Sequence, residues 1–438
     1  MSFSLLLTLV CFLPLYDDPP AKKDAPKEAA TTKDELPKPK KVENPATSGE
    51  IDNAIKRGVA YLLENQNKDG SWGNARNTKD LNIYAPTAAS HLAYRGGCTA
   101  LVVCALCEVA TGDPAAVKSL EQGEKWIFEK LPELRRDTPD VIYNIWGHAY
   151  GIKALVRMHK RLPNDKERQK KIEAAIAKQI ELLGRYESVD GGWGYYDFKA
   201  GTQKPSSDAT SFITATVLIA LHEAKELGIH APEKLVKRAV ASIQRQRKKD
   251  NSYAYGEYLK LMPMMPINRP AGSLGRSQAC NLALQLWGDK TIDDKVHFTW
   301  LDRLYSRNMW LDIGRKRPVP HEAYFQIAGY FFFYGHYYGS LCIDALPEKG
   351  SPLLPGTSRQ GAAANTREGW ELLGLSAVQL PLFLRDSVRP DVAQASTEAA
   401  GEAVSVLSRS RSNKITSEDQ ESTMLHAVWS IDLAALQW

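Results

Sequence analysis

The sequence predicts an all-α fold: helical hairpins arrayed side by side and closed into an α/α toroid of the α6/α6 type, behind an N-terminal tether. Three observations carry this reading. A helix ended by an Asp-Gly-x-Trp turn recurs along the chain. A second, more apolar helical segment follows each such turn. No period-2 alternation, the mark of a half-buried strand, competes with these patterns. Composition agrees. The 438 residues are 43% hydrophobic and 24% charged, which is ample for a core. A net charge of +5 is too weak over this length for a nucleic-acid binder. Six cysteines without a framework spacing exclude a disulfide scaffold. No apolar run is expected to reach the roughly 20 residues of a bilayer span.

Residues 1–16 are expected to be a signal peptide or membrane anchor, because Ser4–Leu15 reads SLLLTLVCFLPL. No Lys or Arg precedes that run, and Leu9 and Val10 are bulky where a lipoprotein acceptor at Cys11 wants small residues. Residues 17–49, rich in Pro, Lys, Asp, Glu and Ala, cannot bury enough apolar area to offset their ordering entropy. They read as a disordered tether. The folded body is expected over 50–346.

In that body, Ile51, Ile55, Val59, Leu62 and Leu63 fall on one helical face. The sequence Arg57-Gly58-x-x-Tyr61-Leu62-x-x-x-Gln66 leads into Asp69-Gly70-Ser71-Trp72-Gly73. A looser copy runs from Ile172 to Leu183 and turns at Asp190-Gly191-Gly192-Trp193. A third runs from Arg238 to Ile243 and turns at Asp250-Asn251-Ser252-Tyr253. Asp-Gly supplies a residue tolerant of positive φ, which stops the helix and turns the chain. The apolar partners are Cys98–Cys107, Ser211–Leu221 and Ala279–Trp287, with Trp146–Met158 and Tyr324–Leu346 of the same kind. Being apolar nearly all round, they are expected to be buried on most faces. The unit repeats about every 50 to 70 residues, which makes a helical-hairpin array. Residues 347–438 are divergent and supply at most a closing hairpin.

The motif from Arg57 to Trp72 resembles the QW motif of the prenyltransferase and squalene-oxidase repeat proteins. Their superfamily includes squalene–hopene cyclases, oxidosqualene cyclases and the β-subunits of protein prenyltransferases. The resemblance covers about Ile51 to Leu346 and implies an α/α barrel with a cavity inside its inner ring. The chemistry of the superfamily is another matter. The D-x-D-D acid of the cyclases and the D-D-x-x-D metal motif are both missing. Asp293-Asp294 lies in a polar stretch that reads as a loop. The Asp-x-Cys zinc spacing of the prenyltransferases is replaced by the reversed Cys342-Ile343-Asp344. The thioester G-C-G-E-Q motif of complement-type toroids is also missing.

One pattern internal to the chain stands out. Gly147-His148-Ala149-Tyr150-Gly151 recurs as Gly335-His336-Tyr337-Tyr338-Gly339. If both segments line one cavity, His148 and His336 form a metal pair or an acid/base pair near neutrality, and a metal would require a third ligand, for which Asp208 is the candidate. Otherwise the glycines permit close helix approach and the His and Tyr fill the ring. Asp208, at a helix start, reads equally as a cap. Tyr324–Tyr338 holds nine aromatics in fifteen positions, suited to a cation, to an apolar chain or to plain core. Cys98, Cys104 and Cys107 share one apolar helix and read as core. Arg276 and Gln278 open another and could meet an anion.

The expected catalytic residues are therefore His148, Asp208 and His336. The expected ligand contacts are Tyr150, Arg276, Gln278, Tyr324, Tyr337 and Tyr338. Neither a metal nor a cofactor is expected. The expected partner is an apolar, isoprenoid-type small molecule, with no nucleic acid and with membrane association through the N-terminus. The chain is expected to be exported. A non-catalytic scaffold and a glycan-active enzyme are the rival readings, since one fold hosts many functions.

Overall fold

The structure, a computed structural model, describes residues 48–73, 88–110, 112–134, 143–195, 209–315 and 325–346. The chain divides into two units, Met1–Lys38 and Pro39–Trp438, and every described residue belongs to the second. The expectations for residues 1–47 and 347–438 lie outside the described residues, as do Asp208 and Tyr324.

The described residues are all-α. They form α1 (Ser48–Glu64), α2 (Ala88–Val109), α3 (Pro114–Lys130), α4 (Asn144–Arg161), α5 (Lys166–Arg185) and α6 (Ser211–Glu226). They continue with α7 (Glu233–Gln246), α8 (Ser277–Leu286), α9 (Asp294–Ser306), α10 (Met309–Arg315) and α11 (Tyr330–Asp344). Two isolated bridges, Thr210 to Gly256 and Arg247 to Tyr253, are the only β pairing among them. All five apolar segments singled out from sequence fall on helices of one layer: α2, α4, α6, α8 and α11. Each packs on the next in that order. The amphipathic helices α3, α5, α7 and α9 back them as an outer layer, and α1 packs on α2 and α3.

The inner layer is mostly buried. Asn144 to Val156 of α4 and Ser211 to Leu221 of α6 are wholly inside. Helix α2 corrects one expectation. It is long and apolar enough to cross a membrane by length and composition, yet most of that stretch is buried within the protein. Three of the outer helices, α3, α5 and α9, start on side-chain caps. Asp113 Oδ1 accepts from the Ala115 amide at 2.9 Å with Pro114 behind it, and Asp165 accepts from Arg168 at 3.0 Å. Asp293, expected in a loop, caps α9 by accepting from the Val296 amide at 3.0 Å.

The turns explain why the hairpins stack. Gly70 has φ 87° and Gly191 φ 90°, a region where L side chains are strained. A Cβ on Gly70 would also lie 2.7 Å from the Gln122 carbonyl oxygen on α3, and one on Gly191 2.6 Å from that of Arg238 on α7. Each turn thus presses on the outer helix of the following hairpin. Gln66 Nε2 bonds both the Gly70 carbonyl and the Ser119 carbonyl of α3, at 2.9 Å each. Asp69 receives the indole N–H of Trp126, also on α3, at 3.1 Å. At the third turn Asn251 takes the left-handed conformation, φ 58°, and Asp250 is met by Trp300 and Arg303 of α9.

Candidate functional site

Helix geometry separates the two polar members of the G-H-x-Y-G motif. Residues two apart on an α-helix lie about 200° apart around the axis. In α4, Tyr150 therefore faces the inner side chains and His148 faces the outer layer. His148 Nδ1 bonds Gln179 Oε1 of α5 at 2.7 Å, and its ring stacks on Tyr186 at 5.7 Å. Burial lowers its pKa to about 4, so the ring is neutral at ordinary pH. His336 of α11 donates from Nδ1 to the Phe332 carbonyl at 2.6 Å and packs edge-on to Tyr305 of α9. Burial lowers its pKa as well. Each imidazole is engaged with its own outer helix or its own backbone, and no contact joins the two. None of these bonds brings the two imidazoles to one site.

The motif's glycines serve close packing. A Cβ on Gly147 would meet Leu134 Cδ1 at 2.8 Å, and one on Gly151 would meet Leu131 Cδ1 at 2.7 Å. At Gly335 the obstacle is the Gly275 backbone at 2.9 Å, and at Gly339 it is Leu304 at 3.0 Å.

Arg276 and Gln278 are likewise committed within the fold. The Arg276 guanidinium is wholly buried. It donates from Nε and Nη2 to the Tyr253 carbonyl at 3.2 and 2.8 Å, from Nη2 to Ile267 at 2.6 Å, and from Nη1 to Gly272 at 2.7 Å. It also lies over the Tyr255 and Phe331 rings, at 5.7 and 6.0 Å. Burial lowers its pKa to about 10, which still leaves it charged. Its expected role toward an anion is therefore replaced by that of a backbone clamp. Gln278 Nε2 donates to the Trp300 carbonyl of α9 at 3.2 Å.

What the inner helices do bring together is aromatic. Trp146 of α4 stacks on Tyr150 at 5.5 Å and meets Tyr334 of α11 edge-on at 6.0 Å. Phe212 of α6 contacts Tyr334, Tyr330 and Phe331 at 5.9, 6.1 and 5.1 Å. Hydroxyls thread through this cluster. Tyr150 bonds Tyr338, Tyr338 donates to Thr216 Oγ1 at 3.1 Å, and Tyr334 donates to the Phe212 carbonyl at 2.8 Å. A second chain runs from Tyr255 to Tyr195 at 3.1 Å and on to Tyr330 at 2.6 Å. Burial raises these phenols above their ordinary range, so they remain protonated. The indole Nε1 of Trp146 is buried and has no hydrogen-bond partner among the described residues.

Beside the aromatics lies an ionic group that sequence reading missed. Lys153 of α4 is fully buried and pairs with Glu223 of α6, while Arg157 Nη1 reaches the other Glu223 oxygen at 2.5 Å. The Lys153 ammonium also sits 5.7 Å from the centre of the Tyr337 ring. Burial pushes the Glu223 carboxyl up, but Arg157 and Lys153 outweigh it and hold it at about 2. The signal was present: a lysine inside the apolar run Trp146–Met158 requires a buried partner. The Cys104 and Cys280 thiols are free and buried, raised to about 11 and 12, which is the behaviour of core cysteine. Among the described residues no three His, Cys, Asp or Glu side chains gather as a metal site. Comparison of the chain with models of protein families, with curated proteins and with solved structures finds no match.

Proposed function

We propose that the hairpins close into an α/α toroid of the QW-repeat kind. Its aromatic interior binds an apolar, chain-like ligand of isoprenoid class, without acid–base chemistry from His148 or His336. The succession α2, α4, α6, α8, α11 supports the closure, because α11 side chains reach back to α4 and α6. The observation that carries the ligand is Trp146. Its buried N–H, set among Tyr150, Phe212 and Tyr334, has no acceptor among the described residues, and leaving such a group unpaired costs about 1–3 kcal/mol. An oxygen at the head of a prenol-like chain satisfies it while the chain lies on aromatic faces.

The test is organic extraction of the purified full chain with mass spectrometry of the extract, followed by titration with farnesol under tryptophan fluorescence. A co-purifying isoprenoid, and a fluorescence change lost in Trp146→Phe, are the expected results. An extract free of lipid together with no response to farnesol would overturn the reading. A second reading, a rigid platform without a ligand, is favoured by one fact: His148, His336, Arg276 and Gln278 each make a bond within the fold.

A further inference from the structure

We infer that the segment Tyr258–Pro270 is a membrane-docking loop whose apolar tip enters the surface of an anionic lipid bilayer. Within seven residues the tip exposes Tyr258 (53%), Leu261 (87%), Met262 (53%) and Met264 (71%). The remaining large exposed hydrophobics among the described residues, Leu162, Val189, Met309 and Ile313, are spread over three other parts of the chain. Apolar side chains exposed singly are ordinary, whereas a cluster of four marks an interaction surface.

The tip is held in place from below. Short 3-10 turns, Glu257–Leu259 and Pro266–Asn268, flank it. Asn268, fully buried, donates to the Leu259 and Met262 carbonyls at 2.9 Å each and accepts the Tyr255 amide at 2.8 Å. The Arg276 guanidinium ties Ile267 to Tyr253 and Gly272 at the base. A buried cation and a buried amide thus preorganise a loop whose outer face is apolar and in water.

Charge selects the occupant. From Tyr258 to Pro270 the segment carries Lys260 and Arg269 and no acidic residue. Glu257, at its base, is buried and neutralised by Arg245 at 2.5 Å and Lys260 at 2.8 Å. Cations beside an apolar tip match phosphates above acyl chains. Unbranched Met adapts to a fluid phase, and tyrosine favours the interfacial level. A second copy seated on the loop would instead set like charges against each other.

The test uses the full chain and a local readout: peroxide oxidation of Met262 and Met264, followed by mass spectrometry. Met309 of α10, 55% exposed, is the internal control. Vesicles of phosphatidylcholine with phosphatidylglycerol are expected to slow oxidation of Met262 and Met264 but not of Met309. Pure phosphatidylcholine vesicles are expected to do so more weakly. Lys260→Gln is expected to weaken partition onto the anionic vesicles about fivefold, the worth of one basic residue at such a surface. Leu261→Asp with Met264→Asp, both at exposed positions, should keep the helical circular dichroism and lose protection of Met262. The inference is overturned by unchanged oxidation on vesicles, by equal protection of Met309, or by full protection in the doubly substituted chain. Protection that needs only concentrated protein and no vesicles also overturns it, and would assign the loop to a second copy.

Discussion

Trp72 donates its indole N–H to the Leu62 carbonyl at 2.7 Å, back across the end of the helix that precedes it. Trp193 repeats this in a later hairpin, donating to the Leu183 carbonyl at 2.8 Å. In both cases a threonine of the following inner helix closes the turn. Thr99 and Thr214 each accept the Trp backbone N–H at 3.0 Å and return a hydroxyl bond to its carbonyl at 3.2 Å.

Trp72→Ala is therefore expected to remove a buried ring, 3% exposed, together with its bond, and to cost about 3–5 kcal/mol. Chemical denaturation measures this. A variant as stable as the parent would show that the ring does not hold the turn.

The two kinds of positive-φ glycine separate strain from collision. Gly228, φ 82°, has open space where a Cβ would go, so Gly228→Ala carries backbone strain alone, about 1–2 kcal/mol. Gly70→Ala adds a collision with the α3 backbone and is expected to lower the melting temperature further than Gly228→Ala. Equal effects of the two substitutions would mean that the first turn does not press on α3.

Glu223 is the shared partner of two cations. Glu223→Gln leaves Lys153 buried without a counter-charge, at an expected cost of about 3–5 kcal/mol in equilibrium unfolding. Combining it with Lys153→Met should recover part of the loss, since the stranded charge is then gone. A double variant less stable than the single one would sink this account.

Acid should weaken the fold through its buried, neutral histidines. Burial lowers His148 and His297 to about 4 and moves His336 the same way, so the unfolded chain binds these protons first, near pH 6.5. The stability tied to the neutral rings is complete above about pH 6.5 and is lost as pH falls toward 4. Asp344, raised to about 6 by burial and by Glu108, opposes them as pH falls through the same window. Burial moves His91 and His222 the same way, so five imidazoles against one carboxyl leave a net loss. The denaturation midpoint is expected to fall between pH 7 and pH 5, and less steeply in His148→Gln. A midpoint flat across that range would contradict the buried, neutral assignment.

The hairpin array was legible because it is written in local chemistry. Asp-Gly before Trp announces a helix end, and an apolar run of ten or more residues announces an inner helix. The threonines that close the turns were not legible. Thr99 meets Trp72, and Thr214 meets Trp193, across distances in the chain that carry no fixed spacing. The site was read poorly for a related reason. A repeated G-H-x-Y-G suggested one cavity for all its members, but a two-residue step on a helix sends His and Tyr to opposite sides. The tyrosines met, and the histidines went to separate outer helices. Lys153 and Glu223 are seventy positions apart, and only the placement of α4 beside α6 pairs them.

Since every Asp-Gly turn is finished by groups from the hairpin after it, no hairpin carries its own complete set of bonds. The fold thus has a direction. Removing an outer helix strips a partner from the turn before it, and also takes away the carbonyl on which the Trp of its own turn rests. Gain or loss of length is then tolerated only as whole hairpins, cut between one grip and the next. An insertion that separates Gly70 from α3, or Gly191 from α7, breaks the coupling even when both helices survive.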